Sequence, residues 1–490
     1  MSETVDTRRM GMDALPQRVA IAAPLLALAA AMLLAAEGHT KYATFLGLSV
    51  AVLPVATYLA ITVEPAITAS LATILTVFGG NWHYMHVPVP LDRLAWIAVL
   101  AGLGWRAMRG DHRFTKLRFR RVHCVLLAAV LYAVCSAALS GTLANGTSIV
   151  ALLDTLGIVP FLLFLLAPAV YPTDRERNYL IVALVAVGVY LGLTAWFEGL
   201  SITSLVFPRY ILDPNIGEHF GRARGPFLEA AGDGLGLYIC AIAAVVGLRT
   251  WSSRRARATA AAVGILCVSG AIFTLTREVW LGVGAASLIV GLATPELRRY
   301  VVPGVVVTGI VVLAVILLVP SFKGNASTRL QDNRSLWDRV NSDSAGLRMF
   351  EARPILGFGW STYAESVEPY YRLADSHPLT TVGAIHNEFL SNLVELGLAG
   401  TALWIAGLLM GVCGPLLRRG PPGPRRVWWS ALLGVFICWL VVANFTPEDY
   451  AFANATLWLL AGITASMDSS GSPLWLRPVV APTAVYPSAV

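Results

Sequence analysis

The sequence predicts an all-α fold: a polytopic transmembrane helical bundle of about 12–14 spans, with a large extracytoplasmic loop carrying short amphipathic helices. Three observations carry this. Of 490 residues, 56% are hydrophobic and 13% charged, where a soluble domain has about 25% charged residues. Apolar stretches recur from Val19 to Met467, each near the roughly 20 residues that take a helix across about 30 Å of hydrocarbon. No stretch alternates polar and apolar residues over the length of a barrel strand, which excludes a transmembrane β-barrel. In such a chain a net charge of +7 is read from where the charges stand, and no nucleic-acid partner is expected.

In chain order the spans fall at 19–36, 43–63, 66–80, 91–106, 122–140, 148–170, 179–199, 229–248, 258–275, 278–293, 301–320, 386–411, 427–445 and 450–467. The first runs into Glu37-Gly38-His39-Thr40 with no small-x-small cleavage site, so it is kept as a helix. Basic residues gather in alternate connections: Arg8, Arg9 and Arg18, the run from Arg106 to Arg121, Arg175 and Arg177, Arg249 to Arg257, Arg298 and Arg299, and Arg418 to Arg426. The positive-inside rule then puts both termini in the cytoplasm and leaves two long segments, 201–228 and 321–385, outside. The expected organisation is a cytoplasmic segment 1–18, eleven spans in 19–320, an extracytoplasmic loop 321–385, three spans in 386–467 and a disordered cytoplasmic tail 468–490. The cysteines Cys124, Cys135, Cys240, Cys267, Cys413 and Cys438 lie in or beside apolar stretches and are expected as small lipid-buried hydrophobes. No internal repeat is visible, which weakens an inverted-repeat transporter.

Long loops on a protein with short connections elsewhere are where function is expected. Residues 335–350 of the second loop are expected to form one or two amphipathic helices on the membrane surface. His386 stands where this loop enters the next span, partly desolvated, which suits a proton acceptor near neutral pH; the alternative is an interfacial histidine capping a helix. Asn387 and Glu388 follow it, and Glu395, two turns further in, must face protein or water and is expected to brace the bundle or the site. Arg277, between two spans with almost no loop, is suited to gripping phosphate through its planar fork, or to snorkelling as an interface anchor. Arg222 and Arg224 precede the eighth span, where Glu229 and Asp233 are placed to pair with them. The loop adds Arg329, Arg334, Arg339, Arg348 and Arg353. His83 and His86 are spaced i, i+3 but have no carboxylate or cysteine nearby, so no metal site is expected there.

The run His386-Asn387-Glu388-Phe389-Leu390 through Glu395-Leu396-Gly397-Leu398-Ala399-Gly400 resembles the signature of the O-antigen ligase and O-antigen polymerase superfamily. In that family a long periplasmic loop ends in His-Asn before a helix reading Leu-x-x-x-Glu-x-Gly. Pro354-Ile355-Leu356-Gly357-Phe358-Gly359 resembles its Pro-x-x-Gly-x-Gly turn, Thr276-Arg277 its Ser-Arg at a helix start, and Arg224-Gly225-Pro226-Phe227 its Arg-Gly-x-Phe. The chain departs from the pattern at Glu278, where a small residue is usual, and at Glu229-Ala230-Ala231, in place of an asparagine-containing run.

The resemblance implies a bacterial inner-membrane enzyme without cofactor or metal. It would move a glycan from a polyprenyl-diphosphate-linked donor to a glycan or glycolipid acceptor at the outer face of the bilayer. Carried over by position, His386 would be the base, and Arg224, Arg277 and Arg339 the diphosphate ligands, with Asn387 also on substrate; Arg334 and Arg348 are alternatives to Arg339. The rival class is a transporter or flippase of lipid-linked glycans, which should carry charge along the middles of several spans. Here only Asp154, Glu198, Asp233 and Glu395 look intramembrane, and the strongest candidates cluster at one face.

Overall fold

A computed structural model describes residues 58, 61–87, 90–111, 120–318, 334–372, 384–418, 423–447 and 450–467. The expected first span, most of the second, both terminal segments and part of the long loop lie outside these residues. The described helices are α1 (Pro65–Leu75), α2 (Leu91–Met108), α3 (Arg121–Leu139), α4 (Ile158–Val170), α5 (Asp174–Gly199), α6 (Ala230–Thr250), α7 (Arg254–Phe273), α8 (Arg277–Ala293), α9 (Val301–Leu318), α10 (Arg334–Ala352), α11 (Glu388–Leu408), α12 (Pro424–Val442) and α13 (Ala451–Ser466). Short 3-10 and π turns join several of them, and no strand occurs among the described residues. Seven helical stretches are long and apolar enough to cross a membrane, and the chain is an all-α polytopic protein.

Helix ends follow the local sequence. Pro65 occupies the first turn of α1, where its missing N–H costs nothing. Thr173 and Glu176 close a capping box at the start of α5. The Glu229 carboxylate caps α6 by accepting the N–H groups of Ala231 and Gly232 at 2.9 and 3.0 Å. Leu152–Leu156 forms a π turn ahead of α4. It carries Asp154, whose carboxylate takes both terminal nitrogens of Arg93 from α2, so this intramembrane charge is paired inside the bundle.

α6 is the central post, buried along nearly all its length and packed against α5, α7, α12 and α13. Small residues permit this approach: a Cβ on Gly234 would lie 2.4 Å from a Val279 methyl of α8. In contrast, α9 exposes a continuous apolar surface of Val302, Val305, Val306, Val307, Ile310 and Leu313, as expected of a lipid-facing helix.

The expected amphipathic helix exists as α10, and one face of it packs on protein, while Trp337, Val340 and Leu347 stay exposed. Ser342, Ala345 and Met349, spaced i, i+3 and i+7, are buried, and the apolar pair packs with Ile385 and Val394 beside α11. A loop supplies the other wall of this cluster through Tyr363 and Val367.

α11 is broken in its middle. Gly397 has φ 62° and ψ −171°, so the turn around it leaves backbone groups that bilayer water cannot satisfy. The stretch from Pro354 to Gly359 satisfies them. Leu398 and Ala399 donate to the carbonyls of Pro354 and Ile355 at 2.8 and 3.1 Å. Phe358 and Gly359 donate to those of Val394 and Glu395, each at 2.9 Å, and Tyr132 Oη donates to the Leu396 carbonyl at 2.9 Å. Only glycines fit the crossing: a Cβ on Gly357 would lie 2.5 Å from the Glu395 carbonyl oxygen. The Glu395 carboxylate then accepts the N–H groups of Ser361 and Tyr363 at 2.8 and 3.2 Å, which is the bracing role expected of it.

Candidate functional site

The polar groups of several helix ends meet at one end of the bundle. Ala223 donates its N–H to Phe273 at the end of α7, Glu388 donates to Ala443 at the end of α12, and Tyr450 Oη, ahead of α13, donates to Glu229 ahead of α6. α10 reaches the same place by Arg339, whose Nη2 stands 3.0 Å from Glu278 Oε1 at the start of α8.

His386 sits at this junction, one residue before the Asn387 cap, half-buried. Asp343 of α10 takes the His386 backbone N–H. Its Nδ1 is buried and has no hydrogen-bond partner among the described residues. Burial is the main cause holding the imidazole below its ordinary pKa, and the positive charge of Arg339 adds to it. The Glu278 carboxylate acts the other way. The lowering favours the neutral imidazole, the form a proton acceptor needs.

Glu278 is 8% exposed and also accepts a hydrogen bond from Thr446 at 3.4 Å. Arg277, beside it, is exposed at the first position of α8. Asn387 has a mainly local use: its side-chain oxygen accepts the Leu390 N–H at 3.0 Å, and its amide nitrogen reaches the Asn444 carbonyl at 3.4 Å.

Arg224 is engaged by its own segment. Its side chain, 1% exposed, gives Nε and Nη2 to the Ile211 carbonyl at 3.2 and 2.8 Å, Nη1 to Ile216 at 2.6 Å and Nη2 to Asp213 at 2.5 Å. Phe220 lies under the guanidinium, 5.1 Å from its ring centre. The fork thus holds the segment between α5 and α6 together. The expected pairing of Glu229 and Asp233 with Arg222 and Arg224 does not form. Arg222 reaches Thr276 at 3.4 Å. Asp233 is 0% exposed, with neither oxygen hydrogen-bonded among the described residues.

Residues 261–405 match the family described as "O-Antigen ligase". Over this stretch the chain is similar to the O-antigen ligases, which supports the O-antigen ligase/polymerase superfamily. No curated protein matches it. The matched stretch holds Arg277, Glu278, Arg339, the Pro354–Gly359 crossing, His386 and Glu395, so the break in α11 and the loop that pairs with it lie within the match. Family and helical bundle together support a membrane glycan-processing enzyme.

Outside the O-antigen ligase match lie groups that reading the sequence passed over. His219 Nδ1 is 3.7 Å from Glu229 Oε1 and 3.9 Å from Glu218 Oε2. The ligating atoms of the three side chains fall within 4.8 Å of one another. The available signal was Glu229 itself, a departure from the family pattern, but its histidine partner is ten positions upstream in an irregular segment and no periodicity links them.

Proposed function

We propose that this protein transfers a glycan from a polyprenyl-diphosphate-linked donor to a glycan or glycolipid acceptor at the outer face of the cytoplasmic membrane, with His386 as general base. The observation that carries the proposal is His386 itself: a half-buried imidazole whose Nδ1 has no hydrogen-bond partner among the described residues, beside Arg339, where the long loop enters α11. The acceptor hydroxyl gives its proton to the imidazole as its oxygen bonds to the sugar carbon. The carbon–oxygen bond to the diphosphate breaks, and Arg277 and Arg339 offset the negative charge that develops there. In this reading Arg224 shapes the loop rather than binding phosphate, Asn387 fixes the helix start behind His386, and Glu278 holds Arg339 until the diphosphate competes for it.

Three of the four acids expected inside the membrane, all but Asp233, favour transfer over flipping. Asp154 is taken by Arg93, Glu198 accepts the N–H groups of Arg224 and Gly225 at 3.3 and 3.0 Å, and Glu395 binds loop backbone. Groups committed in this way are poor candidates for a charged path through the spans.

The test is transfer by purified protein supplied with a lipid-linked donor. His386→Ala should lower turnover by roughly 10²–10⁴-fold while the protein stays folded and binds donor. Near-wild-type turnover by that variant removes the histidine from the mechanism.

A further inference from the structure

The geometry points to His219 as a second catalytic histidine, held by Glu229, that donates a proton to the departing diphosphate. The inference rests on the transferase reading above and adds the acid to its base.

Glu229 is fixed before any substrate arrives. Its Oε2 accepts the N–H groups of Ala231 and Gly232 and the hydroxyl of Tyr450. Oε1 is left facing His219 Nδ1 at 3.7 Å, an ion-pair distance, and Nδ1 is buried with no hydrogen-bond partner among the described residues. A carboxylate behind one ring nitrogen sets the tautomer and leaves the other nitrogen for chemistry. The backbone is held as well: Glu218 donates to Leu228 at 2.9 Å, Arg222 donates to the His219 carbonyl at 3.2 Å, and His219 occupies the left-handed region with φ 57°. Non-glycine residues persist in that region when their surroundings over-determine them, as at functional sites. The side chain is 29% exposed, so it is reachable.

The groups facing His219 are Glu229 from the start of α6, Glu218 from its own segment at 72% exposure, and His386 from the start of α11, close enough for their charges to interact. One end of the bundle therefore holds two histidines in opposite settings, one beside an arginine and one beside two carboxylates. In the reaction the acceptor oxygen bonds to the sugar carbon and its proton passes to His386. The electron pair of the broken bond stays on the diphosphate oxygen, which takes the His219 proton, and solvent restores both histidines.

The experiment uses the full-length protein in lipid with a lipid-linked glycan donor and compares wild type, His386→Ala, His219→Ala and Glu229→Gln. His219→Ala should lower kcat by about 10²-fold with donor KM little changed, and recover part of its rate with added imidazole. Glu229→Gln can still cap α6 through its amide oxygen, and should lower kcat about tenfold with the melting temperature unchanged. The inference is overturned if His219→Ala turns over within about threefold of wild type, or if imidazole restores nothing to a variant that melts like wild type. It is also overturned if a chelator abolishes wild-type turnover and Mn2+ or Zn2+ restores it, because Glu218, His219 and Glu229 then hold a cation. Activity of His219→Ala alongside an inactive His386→Ala sinks the acid alone; a folded wild type that transfers nothing sinks the transferase reading and this one with it.

Discussion

Leu398 gives its backbone N–H to the carbonyl of Pro354 at 2.8 Å, so a loop supplies the acceptor that a membrane helix has lost at its own break. Ala399 does the same to Ile355, and the exchange runs in both directions through Phe358 and Gly359. The broken turn is stable because every freed group named here finds a partner of the same kind, where an orphaned group in hydrocarbon costs several kcal/mol.

Gly397→Ala should therefore be severely destabilising. The new Cβ would lie 2.3 Å from the Ile355 carbonyl oxygen at a residue with φ 62°, and the loss should exceed about 3 kcal/mol. Gly104→Ala, in α2 with nothing within 4 Å of the new Cβ, is the control and should be neutral or slightly stabilising. Thermal unfolding in detergent measures both, and equal melting temperatures for the two variants would disprove the account of the crossing.

The charges around His386 should move the acid limb of the pH–rate profile in opposite directions. As base, His386 is lost when pH falls through its pKa. Arg339 helps to hold that pKa down and Glu278 pushes it up. Arg339→Gln should move the limb to higher pH and Glu278→Gln to lower pH, whatever each does to the maximal rate. Limbs that coincide with wild type in both variants would show that His386 is not the group titrating.

Arg224→Lys should act on stability and spare donor affinity. A lysine keeps the charge but cannot reach the carbonyls of Ile211, Asp213 and Ile216 together. Leaving buried carbonyls unpaired should cost about 2–4 kcal/mol, seen as a lower melting temperature and faster proteolysis between α5 and α6. A variant that melts like wild type but needs far more donor would return Arg224 to the diphosphate.

Topology is tested by labelling. With the six native cysteines replaced, a cysteine at the exposed Ser204 should react with an impermeant maleimide in intact cells, and one at the exposed Ser252 should not. The reverse pattern inverts the protein in the membrane.

The spans were legible because composition and length determine them: each expected segment within the described residues, from 66–80 to 450–467, corresponds to a helix. The four motifs were legible as strings, and His386 falls at the loop-to-helix junction where it was expected. What the strings do for one another was not legible. Nothing local to Pro354 says that its carbonyl serves Leu398, since a backbone acceptor has no residue identity. The partner of an arginine is likewise a tertiary outcome: Arg224 is used by carbonyls of its own segment, while Arg339 reaches Glu278, a residue marked only by being unusual in its place. The amphipathic pattern of α10 was legible, but its partners were not: the buried stripe of Ala345 and Met349 packs on Ile385 and Val394, which no local signal in the helix names.

Surface loops usually accept insertions and exchanges with little effect on the framework beneath them. The Pro354–Gly359 stretch is an exception, because removing it would leave α11 with unpaired amides and carbonyls in the apolar interior. Loop and helix therefore form a single cassette: a chimera that swaps the loop of one such enzyme for that of another should fold only when the broken helix travels with it.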